Sequence, residues 1–135
     1  MERSRVLIVD RDDALVETSK FLLRAAAYVV EGVSDVPHAL AIVPDFLPDV
    51  ILTEVQTPET DGFELARRLK ADPATRHIAI IAFTAQASKG DGRVLQEAGF
   101  DGYIGRPVDI MTFAAAVRFW LEGPLTARTR HFVWP

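Results

Sequence analysis

The chain has no cysteine among its 135 residues, which excludes disulfides, thiolate metal sites and a thiol nucleophile. No apolar run approaches the ~18 residues of a membrane-spanning helix. The charged opening Met-Glu-Arg-Ser-Arg leads straight into four apolar residues, unlike a signal peptide. An excess of positive charge is also missing. Fifteen Lys and Arg stand against 19 Asp and Glu, a formal charge of −4, which argues against nucleic acid as the main partner because phosphate binding needs clustered cations. The three histidines, His38, His77 and His131, are scattered. With no nucleophile–base pair and no Gly-rich phosphate loop in view, enzymatic activity is not expected. The expected setting is cytoplasmic, away from nucleic acid and membrane.

What is present is an ordinary globular mixture, 49% hydrophobic and 25% charged, in a chain long enough for one domain with a real core. Val6–Val9, Val50–Leu52 and Ile78–Phe83 are continuous apolar runs, the pattern of strands buried on both faces. Tyr28–Val33 reads as a weaker strand and Gly102–Gly105 as a short one. Helical patterns fall between them at about 12–27, 36–43, 63–71, 89–98 and 109–122. Leu15, Leu22 and Ala26 share a face of the first, and Ser34, Asp35 and Asp109 are candidate caps. Regular βα alternation with short connections predicts a parallel sheet covered by helices on both faces. Residues 1–122 carry this pattern and 123–135 form a tail.

In an open parallel sheet, ligands bind beyond the carboxyl ends of the strands. Those ends deliver Asp10 and Arg11, then Glu54, Thr84, and Arg106 followed by Pro107. Two acids, two bases and a hydroxyl are thereby expected around one small pocket.

The stretches VLIVDRDD, PDVILTEVQTPETDG, IIAFTA, EAGFDGYIGRP and DPATRHI resemble the receiver domains of two-component response regulators. The resemblance spans about residues 5–122. It implies a flavodoxin-like three-layer α/β sandwich with a five-stranded parallel sheet in the order 2-1-3-4-5. It also implies a role in phosphorelay signal transduction, with a histidine kinase or an output protein as partner. Such receivers accept a phosphoryl group on an aspartate after strand three and hold Mg²⁺ with acids after strand one. By this resemblance Glu54 takes the phosphoacceptor position, Asp10 and Arg11 the acidic pair, Thr84 the hydroxyl, Tyr103 the aromatic switch and Arg106 the lysine before Pro107.

Arg11, Glu54 and Arg106 depart from that pattern. A guanidinium in place of a carboxylate repels a hard divalent ion, and two unit charges about 4 Å apart interact by about 4 kcal/mol at an effective dielectric of ~20. Mg²⁺ binding is therefore expected to be lost or weak, with no cofactor. The Glu54 carboxylate extends about one bond beyond the aspartate position, and misplacement by about 1 Å can cost ~10²-fold in a positioned reaction. Arg11, Arg106 or both are expected to pair with Glu54 and Asp10, since Arg suits carboxylate contacts. The reading is an atypical receiver, a pseudo-receiver acting as a phosphorylation-independent adaptor; the alternative is a working phosphoacceptor despite these changes. In related receivers, the fourth helix, fifth strand and fifth helix form the face for dimers and partners. In the last helix, Ile110, Phe113, Val117 and Leu121 are predicted to form the buried stripe, leaving Phe119 beside Ala115 on a contact surface. The tail, with Phe132 and Trp134, is expected to be a partly ordered end or a linker.

Overall fold

The computed structural model describes residues 3–55, 61–84, 91–106 and 109–134. Strands β1 (Arg5–Val9), β2 (Val29–Val33), β3 (Val50–Thr53), β4 (Ala79–Thr84) and β5 (Gly102–Gly105) form one parallel sheet in the order β2-β1-β3-β4-β5. This is the predicted flavodoxin-like topology. Helices α1 (Asp13–Ala25), α2 (Val36–Phe46), α3 (Gly62–Ala71), α4 (Asp91–Ala98), α5 (Phe113–Leu121) and α6 (Leu125–His131) complete the order of elements.

The alternating side chains of each strand feed two cores. Leu7, Val9, Ile51, Ile80 and Ala82 meet α2, α3 and α4, while Val6, Ile8, Leu52, Ile81 and Phe83 meet α1 and α5. β1, β3 and β4 carry apolar residues on both faces because helices cover both. At the start of β5, Asp101 accepts from the Ile80 amide at 2.9 Å and pairs with Lys70 of α3 at 2.6 Å.

Several helix details differ from the sequence reading. The buried positions of α1 are Val16, Ser19 and Leu23, one step round from the predicted Leu15, Leu22 and Ala26, which are half-buried. Asp12 caps α1, accepting from the Leu15 amide. α2 runs three residues past the predicted Val43 and keeps Pro44 inside it, at the cost of one i→i−4 hydrogen bond near its end. α5 begins only at Phe113. Asp109 caps the preceding turn through the Met111 amide at 2.9 Å, which leaves Ile110 69% exposed and makes Phe113, Val117 and Trp120 the buried stripe. Leu121 is half-buried. The tail is not a loose end: it folds into α6, with Phe132 and Trp134 packed on the domain. The predicted start of the fourth helix at residue 89 lies outside the described residues.

Three helix N-termini rest on carboxylates, Asp12 at α1, Asp35 at α2 and Asp61 at α3. Asp35 caps α2 through the His38 amide at 2.9 Å and meets His38 Nδ1 at 2.6 Å; both contacts, the amide first, hold its carboxyl below the ordinary value of 3.8. In α3, pairing with Arg68 and then Arg67 lowers Glu64 below 4.5. A carboxyl whose folded pKa is depressed stabilises above its unfolded pKa, and that contribution is lost as pH falls through the folded value. The urea midpoint is expected to drop as pH falls below the ordinary carboxyl values of 4.5 and 3.8 and through the depressed folded ones, as read by far-UV circular dichroism. Asp35→Asn keeps a capping oxygen but no titrating charge, and its midpoint is expected to fall less steeply over that interval.

Candidate functional site

The site forms where β1, β3, β4 and β5 end. The ladder continues one residue past β1, with the Asp10 amide donating to the Val33 carbonyl at 3.0 Å, so Asp10 is held 4% exposed. Its Oδ1 accepts from the Asp12 amide at 2.8 Å. Past β3, the Glu54 amide donates to the Val9 carbonyl at 3.2 Å, and its Oε1 accepts from the Val55 amide at 2.8 Å. The returning chain presses on this point. A Cβ on Gly62 would lie 2.2 Å from the Glu54 carbonyl oxygen, so only glycine fits there.

Arg106, just past β5, joins these parts. Its Nη2 donates to Asp10 Oδ2 and to the Phe83 carbonyl and lies 3.2 Å from Glu54 Oε2. Its guanidinium carbon lies 4.7 Å from the Phe83 ring centroid, within cation–π range. Nη2 has only two hydrogens, directed to Asp10 and Phe83, so Glu54 is held as an ion pair. The buried Arg106 Nε has no hydrogen-bond partner among the described residues. Each carboxylate thus has one oxygen on a backbone N–H and the other on Arg106. One cation faces two anions, leaving the trio at a net charge of −1.

The other predicted site residues lie around this trio. Thr84 is buried at the end of β4, and its carbonyl accepts from the Tyr103 hydroxyl at 3.2 Å. Tyr103 is half-buried against the α2–α4 core. Arg11 is exposed at the start of the next loop; the guanidinium that bonds Asp10 is that of Arg106. Pro107 lies outside the described residues. Phe119 is 40% exposed on α5, its ring edge-on to Trp120, and Ala115 beside it is exposed. A groove of about 340 Å³ leads from Asp10 past Asp13 and Glu17 to His38. Among the described residues, no three His, Asp or Glu side chains are grouped to hold a metal ion. The sequence reading missed Phe83, whose carbonyl and ring seat Arg106. An apolar residue inside a strand gives no sign of such a role.

This fold is that of a receiver domain. The response regulator receiver domain pattern matches residues 6–118, and the chain belongs to that family. It is 39% identical over 115 residues to the response regulator PleD of Caulobacter vibrioides, spanning 85% of this chain and a quarter of PleD. It is 32% identical over 116 residues to the polar-differentiation response regulator DivK of Brucella anthropi, covering 86% of this chain and 94% of DivK. Among solved structures, a putative response regulator from Chloroflexus aurantiacus superposes with a TM-score of 0.81 at 30% identity, covering 89% of this chain and 98% of that one. The chemotaxis regulator CheY4 of Vibrio cholerae reaches 0.82 at 24% identity over 89% of this chain and all of CheY4, a likeness of fold.

Removing Arg106 strands a buried carboxylate. Arg106→Ala is expected to destabilise the domain by about 3 kcal/mol, the low end for a broken buried pair because the arginine side chain is 15% exposed. Arg106→Lys keeps the charge and is expected to recover part of that loss. Urea unfolding of both variants measures the difference.

Proposed function

We propose that this receiver is a phosphorylation-independent interaction module, a pseudo-receiver whose pocket charge is fixed. The observation that carries this reading is Arg106 held between Asp10 and Glu54. Typical receivers gain charge at this point when phosphorylated. Here a carboxylate already stands at this point and is paired with Arg106. An attacking carboxylate must be free and aligned, and a displacement of about 1 Å can already cost ~10²-fold. The donor set also suits Mg²⁺ poorly, because a hard cation needs carboxylate oxygens, and those of Asp10 and Glu54 are engaged by N–H donors and a guanidinium.

Signalling then rests on a surface. The exposed side of α5, with Phe119 and Ala115, belongs to the α4–β5–α5 face and is the proposed contact for a protein of the pathway, a histidine kinase or an output protein, or for a second copy. Tyr103, bonded to the Thr84 carbonyl, supports a fixed link between pocket and face.

Incubation with acetyl phosphate or beryllofluoride plus Mg²⁺ tests the pocket. Intact mass and amide spectra are expected to stay unchanged. A stoichiometric, Mg²⁺-dependent change would favour the working phosphoacceptor instead. For the surface, Phe119→Asp is expected to abolish partner binding in sedimentation or pull-down while lowering stability by about 1 kcal/mol through the lost ring contact with Trp120. Retained binding would remove Phe119 from the contact.

A further inference from the structure

Two glycines bracket β5, and each stands under an aromatic ring. The strand reads Gly-Tyr-Ile-Gly, and side chains two residues apart share a face. On the α1–α5 side, a Cβ on Gly102 would fall 1.9 Å from the Trp120 indole. On the α2–α4 side, where Tyr103 packs, a Cβ on Gly105 would fall 2.9 Å from the Tyr103 hydroxyl oxygen, 3.4 Å from Cζ and 3.5 Å from Cε1.

The Tyr103 ring therefore does not stand straight off the sheet, as strand side chains ordinarily do. It leans along β5 toward the carboxyl end of the strand and lies over Gly105. Thr84 is the register partner of Gly105, so this path delivers the hydroxyl to the Thr84 carbonyl, where it donates at 3.2 Å. Glycine is otherwise a poor strand residue, since it packs nothing and loses the most backbone freedom on folding. At 105 the space a side chain would fill already holds Tyr103. The hydrogen bond is longer than the usual ~2.8 Å, so a push of a few tenths of an ångström at the hydroxyl breaks it. The far end of a tyrosine can yield to such a push where the backbone cannot.

We propose that Gly105 is a positioning residue: by carrying no side chain it seats Tyr103 permanently over the end of β5, and so holds the α4–β5–α5 face in one form. The consequence for binding rests on the surface reading above, whereas the seat does not depend on the Glu54 pocket. A partner that requires Tyr103 in this place finds nearly every molecule competent. Its apparent affinity falls in proportion when the seated fraction falls.

Tyr28 and Tyr103 are the two tyrosines of the chain, so Tyr28→Phe leaves Tyr103 as the single site for 3-fluorotyrosine. Fluorine NMR of that protein is compared with the same protein carrying Gly105→Ala or Gly105→Val. The protein with Gly105 is expected to give one resonance, with a smaller shift between H₂O and D₂O than a denatured control. Gly105→Ala is expected to move the resonance and enlarge that solvent shift, and Gly105→Val to move it further, with the far-UV circular dichroism of a folded domain. Amide signals of β5 and α4 are expected to move with it, and those of β2 to stay. The alanine variant, whose single methyl meets the hydroxyl end of the ring, keeps the test open should the valine variant not fold. Two resonances in the protein with Gly105 would reveal a ring that is not held. An unmoved resonance in either folded variant would reveal a seat that does not need glycine. Each of these results overturns the proposal. Acetyl phosphate, beryllofluoride and Mg²⁺ are left out of the samples, so failure here is distinct from failure of the pocket reading.

Discussion

The guanidinium of Arg106 ties together the ends of four strands. It starts from the end of β5, bonds Asp10 past β1, pairs with Glu54 past β3, and takes the backbone carbonyl of Phe83 in β4. Buried charges are tolerated only when paired and hydrogen-bonded, so Asp10 at 4% exposure depends on this partner. Geometry follows from the same contact. Asp10 cannot turn toward solvent without leaving Arg106, and Glu54 cannot extend without giving up the Val55 amide or the ion pair. The pocket is a small lattice of fixed charges, and every element that reaches it does so through a hydrogen bond at a strand end.

Much of the architecture was legible because the parallel sheet writes itself plainly. Val6–Val9, Val50–Leu52 and Ile78–Phe83 are apolar on both faces, and nothing else in the chain looks like them. Helix faces were less legible. The inward side of α1 is Val16, Ser19 and Leu23, and a serine in the middle of a buried stripe hides it from a reading based on hydrophobicity. In α5 the error came from the start point. Asp109 looks like a helix cap but closes a turn, and the four-residue delay moves Ile110 out to solvent and Trp120 into the core.

The candidate site divides in the same way. Asp10, Glu54, Thr84 and Arg106 were found because topology puts strand ends together, whatever the side chains. How an arginine would reach Asp10 and Glu54 was not readable, because it depends on the path of the side chain: Arg106 comes back over the Phe83 ring. The tail was hardest of all. Phe132 and Trp134 sit in a segment of no clear periodicity, and their role is set by Trp120 and by the glycine beneath it.

The two margins of the sheet are guarded by different physics. β2, at one margin, carries the carboxylate of Glu31 in its middle, and like charges keep two such strands apart until salt screens them. β5, at the other, is Gly-Tyr-Ile-Gly with no charge at all and has the Trp120 indole packed over its first residue, a contact that is hydrophobic and strengthens in salting-out solutions. Ionic conditions therefore act on the two flanks in opposite senses, which gives the molecule a sidedness that its near-regular βα repeat would not suggest.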